Sequence, residues 1–275
     1  MIKLKFKNSF GEVCFEQGKW HLTEAEGLSL PPKQISACAY INAPGQETVS
    51  ARETARTITL SGDIAPELAV SYEYGRACGI FAKEGYLYIE TDTYSRRIAS
   101  RCIDFVPGER HGAYRKFVVQ FLCDSPFFED VADTETVIYE RVPLLGRDTV
   151  LPAVFSTRIS KGDVSYPGTA FCEPTIYVNI PSGSGSLTLA NITNGGRIAF
   201  AYDADLFSQL VIDVKNRTVT DENGISRLDT LTDDSFFDGF RLEPGSNRLE
   251  VINSDVSKNV DARMRYKIRY QEAIV

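Results

Sequence analysis

Hydrophobic and polar residues alternate with a period of two along most of the chain. At the amino terminus Leu4 and Phe6 alternate with lysines, and two later runs, 175–180 and 262–270, show the same alternation. Successive side chains of a β-strand point to opposite faces, so this period buries one face of a sheet and leaves the other in water. The pattern therefore predicts a protein built from half-buried strands.

Further strand-like runs follow at short intervals. They lie near 55–62, 85–91, 115–123, 197–202, 208–214, 217–220 and 236–242. Turn sequences such as Asn223-Gly224 and Pro244-Gly245 separate these runs. Many short strands with regular turns are typical of β-sandwiches and barrels.

One segment has a helical period instead. The apolar residues that share one stripe of this helix are Val70, Tyr74, Ala77 and Phe81. Pro66 suits the first turn, and Gly79 or Gly85 suits the end. We therefore expect one short helix in an otherwise all-β protein.

The composition changes after the apolar run that ends at Cys123. Residues 130–175 are rich in Pro, Gly, Thr and Asp, which is typical of a boundary between domains. We therefore expect two domains. Residues 1–140 form a β-rich domain that carries the helix, and residues 141–275 form an all-β domain.

Composition and charge narrow the function classes. The chain has 275 residues, 43% hydrophobic and 24% charged, with a formal net charge of -7, which is the composition of a folded protein. Such an acidic chain lacks the basic face that nucleic-acid binding needs, so we expect no nucleic-acid partner. No apolar stretch approaches the roughly 20 residues of a membrane span, and lysines interrupt the amino-terminal run. We expect synthesis in a cytoplasm and no membrane partner.

Side chains for common catalytic and metal sites are scarce. The chain has two histidines, His21 and His111, and no Gly-x-Ser-x-Gly elbow. Six cysteines lie at positions 14, 38, 78, 102, 123 and 172 without Cys-x-x-Cys spacing, so we expect six reduced, structural thiols. We predict no catalytic residue, no cofactor and no metal.

The second half carries an ordered set of turn and hydrophobic positions. In chain order these are Ile212, Asp213, Val219, Asn223, Gly224, Phe240, Leu242, Pro244, Gly245 and Asn247. In the first half Gly45-Gln46 precedes Arg56, and the apolar run 117–123 is followed by Asp-Ser-Pro-Phe-Phe. This order resembles the distal tail protein (Dit) family of long-tailed, siphovirus-type bacteriophages. The glycines supply positive φ for turns and Asn247 bonds local backbone, so these roles are structural.

The resemblance implies a non-enzymatic hub of the tail tip or baseplate. It implies that the first, β-sandwich-like domain forms a ring, usually a hexamer, between the tail tube protein and the tail-tip protein. The second domain is then a galectin- or carbohydrate-module-like β-sandwich that points outwards and docks receptor-binding proteins. The location implied is the virion tail tip, after synthesis in the bacterial host cytoplasm, in a phage or a prophage. Residues 28–44 depart from the family pattern, because they lack its Gly-rich loop.

The same resemblance places the ring contacts in the first domain. We expect them in the alternating strand with Lys3, Lys5 and Lys7 and in the region 85–123, and not in residues 176–275. A closed ring covers sheet edges that would otherwise pair without control.

Two other function classes stay open. Carboxylates are numerous, so a pair placed for glycoside hydrolysis is compatible with the sequence. The 13 tyrosines and 16 phenylalanines could supply a sugar-stacking platform, although at strand spacing they are first of all core residues and cross-strand pairs. A carbohydrate-binding module for attachment to the host surface is therefore the alternative to the hub.

Overall fold

The computed structural model describes residues 3–15, 20–42, 44–64, 70–112, 114–139, 141–143, 156–158, 161–255, 258 and 260–273. Over these ranges the chain is mostly antiparallel β-structure with a single α-helix, which confirms the predicted fold class. The chain forms two compact units. Unit 1 comprises Met1–Val131 together with Tyr270–Val275, and unit 2 comprises Ala132–Arg269.

Unit 1 contains the first ten strands, the helix and the Tyr270 end of a short return strand, whose first residue, Arg269, belongs to unit 2. The elements are β1 (Lys3–Asn8), β2 (Gly11–Phe15), β3 (Trp20–Glu26), β4 (Lys33–Ala39), β5 (Gln46–Glu53), β6 (Arg56–Ile64), α1 (Val70–Phe81), β7 (Gly85–Glu90), β8 (Ser95–His111), β9 (Tyr114–Cys123), β10 (Phe128–Asp130) and β22 (Arg269–Tyr270). No helix among the described residues is long and apolar enough to cross a membrane.

The long strand β8 joins the two layers of unit 1. Residues 95–100 pair with β7, and the part of β8 from residue 101 onwards pairs with β9 after a register shift between Cys102 and Asp104. The strand order is β2-β1-β7-β8-β9-β6-β3. Phe6 of β1 stacks on Phe121 of β9 with ring centroids 4.9 Å apart. The inward residues of both layers therefore form one core, as the period of two predicts.

The predicted helix is confirmed over Val70–Phe81. Its buried residues are Ala77, Ile80 and Phe81, and the Phe81 ring meets the edge of Phe121 at 5.5 Å. Pro66, the expected first-turn residue, lies outside the described residues. The helix thus packs its predicted apolar stripe on the core of unit 1.

Two buried arginines close unit 1 around the last residues of the chain. Arg56, 1% exposed, donates from Nη1 to the carbonyls of Gly27 and Ser29 at 3.0 and 2.9 Å and from Nη2 to the carbonyl of Gln271. Its guanidinium also lies over the Phe128 ring. Burial lowers the pKa of Arg56 to about 10, so the group stays charged at neutral pH.

Arg96 holds the adjoining residue of the same segment. This side chain, 5% exposed, donates to the carbonyl of Glu272 at 2.8 Å and lies 3.7 Å from its carboxylate. Its guanidinium is stacked 3.5 Å from the ring centroid of Tyr270. Buried guanidinium groups need hydrogen-bond acceptors, and residues 270–272 supply them together with aromatic contact.

Unit 2 contains the remaining strands. They are β11 (Thr134–Tyr139), β12 (Arg141–Pro143), β13 (Ser156–Arg158), β14 (Lys161–Tyr166), β15 (Thr175–Asn179), β16 (Ser184–Asn191), β17 (Gly196–Asp203), β18 (Gln209–Asp213), β19 (Thr218–Asp221), β20 (Gly245–Asn253) and β21 (Asp261–Tyr266). Two short 3-10 helices, Leu228–Thr230 and Phe237–Gly239, lie between β19 and β20.

Two main sheets and one strand pair make up unit 2. One sheet has the order β11-β21-β15-β18-β19 and the other has the order β14-β20-β16-β17, while β12 pairs with β13. Inward residues from both main sheets, such as Ile176, Met264 and Phe200, share one core. In β21 every second residue is buried, as the sequence alternation predicts.

The two units differ from the predicted spans 1–140 and 141–275 at both ends of unit 2. Residues 132–139 belong to unit 2, because β11 pairs with β21. The last six residues belong to unit 1. The region 130–175, expected to be a boundary rich in turns, holds strands β11 to β14. The Pro, Gly and Thr residues that the structure describes in this region therefore lie within and between short strands.

We expect Arg56→Met to lower the free energy of unfolding of unit 1 by about 2–4 kcal/mol, because three backbone carbonyls lose their donor in a buried place. Calorimetry on the full chain measures this as a lower transition temperature for unit 1. The matched control is Arg101→Met. Arg101 is half-exposed and pairs with Glu84 and Asp124 at the surface, so its loss should cost at most about 1 kcal/mol. Equal losses of stability in the two variants would show that the buried hydrogen bonds of Arg56 stabilise unit 1 no more than a surface ion pair does.

Candidate interaction surfaces

Strands β4 and β5 form a two-stranded ribbon that lies outside the core of unit 1. The ribbon, residues 33–53, pairs with no other strand in the described part of the chain. Every described residue of it is exposed except Glu53, which is half-buried, and Ile41 at its tip is 99% exposed. A lone two-stranded hairpin is marginally stable in water. Among the residues that the structure describes, no layer covers either face of the ribbon.

The ribbon has one apolar and one polar face. Ile35 lies opposite Ala51, and the strand period puts Ala37 and Ala39 on the same face. Val49, 66% exposed, lies at the register shift between the Ser36–Ser50 and Ala37–Thr48 pairs. On the other face Ser36 lies opposite Ser50, and Arg52 donates two hydrogen bonds to Gln34. Such alternation is typical of a strand pair with one buried face, yet unit 1 covers neither.

The family-pattern residues around β20 close a turn. Asn247 is fully buried, and its side chain accepts a hydrogen bond from the Glu243 amide at 2.9 Å and donates to the Glu243 carbonyl at 2.6 Å. Gly245 has a φ of +96°, which favours glycine. Pro244 is exposed in the same turn, and Phe240 is buried in the core of unit 2. These residues shape the entry to β20.

Two other pattern positions shape the turns that flank β19. Asp213 accepts hydrogen bonds from the amide and side chain of Asn216 at 2.9 and 2.8 Å. Gly224, with a φ of +77°, follows Asn223, whose amide donates to the carboxylate of Asp221. The pattern residues of unit 2 thus lie in separate turns and in the core, and they do not converge on one site.

The family-pattern residues of the first half of the chain lie in two different environments. Gly45, with a φ of +101°, and Gln46 lie at the tip end of the ribbon, both exposed. Arg56 is the buried side chain that binds the last residues of the chain. Sequence reasoning named Arg56 only as part of a pattern, and it missed both Arg96 and the ribbon. The alternation of residues 33–39 was the available signal for the ribbon.

Asp221 is the most strongly engaged carboxylate of unit 2. Burial acts to raise its pKa, but the amides of Ile225 and Asn223 and the guanidinium of Arg227 outweigh it. Arg227 lies 2.9 Å from the carboxylate. The pKa of Asp221 is therefore below its usual range, and the ion is part of the turn that Asn223 and Gly224 form.

Unit 2 also has an open groove on the outer face of its five-stranded sheet. The groove has a volume of about 430 Å³ and is lined by Glu135, Tyr177, Asn179, Gln209, Arg263 and Arg265. These residues come from four neighbouring strands, β11, β21, β15 and β18. They alternate with core residues, so their outward orientation follows from the strand period. The sequence analysis did not predict this groove, because the register of strand pairing decides which side chains meet there.

The residues considered for chemistry are dispersed. His21 is exposed, and the side chain of His111 lies outside the described residues. No group of three or more His, Cys, Asp or Glu residues in the described part of the chain is placed to hold a metal. In unit 1 Glu84 and Asp124 line one cavity, and both bind Arg101.

The six cysteines differ in burial, and Cys14 and Cys102 are half-buried. Cys123 and Cys172 are buried, and burial raises the pKa of both thiols to about 12. Cys38 and Cys78 are exposed, so these two are not core residues as expected from the sequence. Cys78 lies on the helix and Cys38 on the ribbon, where the apolar runs around them are not covered.

Together these features define a protein of two antiparallel β-sandwich units with an uncovered strand ribbon and an outward-facing groove. Residues 167–270 match the family described as the siphovirus-type tail component, C-terminal domain. The resemblance of this chain to the distal tail protein family is therefore confirmed. No curated protein matches the chain.

The whole chain is also similar in fold to solved phage proteins. The Dit protein of phage SPP1, described as a paradigm of the hub adsorption apparatus in phages that infect Gram-positive bacteria, matches with a TM-score of 0.70 and 11% identity over 98% of this chain and 99% of that chain. Chains of the phage p2 baseplate in its activated conformation, with Ca and with Sr, match at TM-scores of 0.45 and 0.44 with 10% and 11% identity, covering 96% of this chain and 98% of theirs. The SPP1 match covers nearly the whole chain and shows a common fold.

We expect Gly245→Val to destabilise unit 2 by about 1–3 kcal/mol, because a β-branched residue is strained at a φ of +96°. A Cβ at this position would meet no atom within 4 Å, so the cost is conformational and not steric. Thermal unfolding of the full chain measures it. Gly162→Ala, at a position outside the left-handed region in the same unit, is the control and should change stability by less than about 1 kcal/mol. An unchanged melting temperature for Gly245→Val would contradict the role of this turn.

We expect Asp221→Asn to weaken unit 2 at pH 7 and to lose this effect in acid. Because the folded pKa is lowered, the carboxylate stabilises unit 2 above its unfolded pKa of about 3.9, and this contribution disappears as pH falls through the folded pKa. Urea unfolding at pH 7 and at pH 3 measures the difference between variant and parent. The exposed Asp205→Asn is the control for loss of a surface carboxylate, and at pH 7 it should change stability by less than about 0.5 kcal/mol.

Proposed function

We propose that this protein is a structural hub of a phage tail tip or baseplate. The family match of unit 2 and the fold shared with SPP1 Dit support this role. Copies of the chain form a closed ring, and the resemblance implies six subunits. This ring joins the tail tube protein to the tail-tip protein. Unit 2 then faces outwards, where receptor-binding proteins dock. The role is non-enzymatic and is exercised in the virion, after synthesis in the bacterial host cytoplasm.

The uncovered apolar face of the ribbon is the observation that carries the ring proposal. Ile35 and Ala51 lie opposite each other on one face, and no described strand of unit 1 pairs with or covers the ribbon. The occupant proposed is the neighbouring copy of the same chain, because every copy presents the same ribbon and a ring repeats one contact at each interface. The charged pair Lys33 and Glu53, 3.6 Å apart, lies at one end of this face and fixes the register of the ribbon itself.

This placement adds to the contacts expected from the sequence. Lys3, Lys5 and Lys7 lie on the outer side of β1, where Lys5 binds Glu90 of β7 at 2.6 Å. The region 85–123 forms the antiparallel β7, β8 and β9. The proposal keeps the ring within unit 1 and assigns the ribbon the largest apolar part of the contact.

The test is the assembly state of the full chain as concentration rises, with and without the tail-tip protein. Mass photometry and negative-stain electron microscopy should show closed rings at high concentration or on addition of the tail-tip protein, since weak contacts need a template or mass action. The double variant Ile35→Asp with Ala51→Asp should form no rings, because two carboxylates then occupy the apolar face.

The matched control is Ser36→Asp with Ser50→Asp, the adjacent pair on the polar face of the same ribbon. It should form rings as the parent does, with unchanged thermal stability. Rings that persist in the apolar-face variant, or that the isolated unit 2 forms, would contradict the proposed architecture.

A further inference from the structure

Two Asn-Gly dipeptides lie in turns of unit 2, and they differ in how the asparagine side chain is held. Asn194-Gly195 lies between β16 and β17, and Asn223-Gly224 follows β19. The two glycines have nearly the same φ, +75° and +77°. Because glycine has no side chain, the peptide nitrogen after each asparagine is open to attack on a neighbouring atom. The dipeptides are therefore alike in sequence and in the φ of the glycine.

The carboxamide of Asn194 is bonded at both ends. Its Nδ2 donates to the Arg241 carbonyl at 2.8 Å, and its Oδ1 accepts from the Gly196 amide at 3.0 Å. The residue is half-buried. A rotation that brings the Cγ atom of Asn194 onto the nitrogen of Gly195 therefore has to break two hydrogen bonds.

The carboxamide of Asn223 has no hydrogen-bond partner in the described part of the chain. The residue is exposed, and only its backbone amide is bonded, to Asp221 Oδ1 at 2.9 Å. A Cβ on Gly224 would meet no atom within 4 Å, so the space beside this turn is open. One backbone bond restrains the turn, from the Gly224 amide to the Asp221 carbonyl at 3.0 Å. Exposed turns open locally at low cost in free energy.

We propose that Asn223 is a site of spontaneous conversion to isoaspartate, from which its hydrogen bonds protect Asn194. The Gly224 nitrogen loses its proton to hydroxide and attacks Asn223 Cγ, and the new N–Cγ bond closes a five-membered succinimide ring. The Cγ–Nδ2 bond breaks, and ammonia leaves after taking a proton from water, which restores the hydroxide. A second water then opens the ring at one of its two carbonyls and leaves isoaspartate or aspartate.

The balance of this reaction is asparagine plus water giving an aspartyl residue plus ammonia. No enzyme and no reactant other than water and hydroxide are needed. The inference concerns a turn of unit 2 alone, so it does not rest on the proposed hub role.

An isoaspartyl residue disturbs the turn that Asp221 holds. Asp221 Oδ1 accepts from the amides of Asn223 and Ile225 at 2.9 and 3.0 Å, and Oδ2 accepts from Arg227 Nε at 3.0 Å. Isoaspartate moves one methylene of the side chain into the backbone, so the two amides lose the spacing that one oxygen bridges. The new carboxylate also adds a negative charge two residues from that of Asp221. Unit 2 of the modified chain is therefore less stable than that of the parent.

The test is incubation of the folded full chain in mildly alkaline buffer made with heavy-oxygen water, followed by proteolysis and mass spectrometry. Each converted asparagine gains a heavy oxygen, and electron-transfer fragmentation distinguishes isoaspartate from aspartate. Asn223 should convert about 5-fold faster than Asn194 or more, because Asn194 gives up two hydrogen bonds and the Asn223 turn gives up one. Asn223→Gln needs a six-membered ring instead, so position 223 should gain no label over the same time.

The matched control is the same chain unfolded in guanidinium chloride, where both dipeptides lose their tertiary hydrogen bonds. The two rates should then differ by less than about 2-fold. Isoaspartyl chains, separated by ion exchange, should unfold at a lower temperature than the parent. Equal rates in the folded chain, faster conversion of Asn194, or a difference that persists on unfolding would overturn the proposal. An unchanged unfolding temperature would overturn the effect assigned to the Asp221 turn.

Discussion

A buried guanidinium must find hydrogen-bond acceptors, and in unit 1 this requirement ties distant parts of the sequence together. Arg56 reaches the carbonyls of Gly27 and Gln271, and Arg96 reaches that of Glu272. A Cβ at Gly27 would lie 2.3 Å from the backbone oxygen of Thr57, so only glycine permits this approach. The core of unit 1 is complete only when residues from both ends of the chain meet at these two arginines.

Much of the fold could be predicted because its information is local. A period of two predicted the strands β1, β15 and β21, and an apolar stripe predicted the helix α1. Both patterns arise because each element buries one face. Turn residues such as Gly245 and Asn247 were also assigned structural roles from residue chemistry alone. The limits of the units were predicted less well, because the return of residues 270–273 to Arg56 is a contact across more than 200 positions.

The surfaces were harder to predict than the elements. The groove at Tyr177 exists because β11, β21, β15 and β18 pair in one register, and a shift of one residue would turn Arg265 towards the core. The alternation of apolar and polar residues indicates that the ribbon is a strand pair. Only the structure shows that no described layer covers its apolar face. Residue patterns specify which side of a strand is apolar, and tertiary pairing specifies what lies on it.

The return of the last residues to unit 1 sets an order of events during synthesis. Residues 132–269 leave the ribosome before residues 270–273, so unit 2 has its whole sequence while unit 1 still lacks the acceptors for Arg56 and Arg96. Domains fold as units once their chain has emerged. The unit that comes first in the sequence is thus the last to mature.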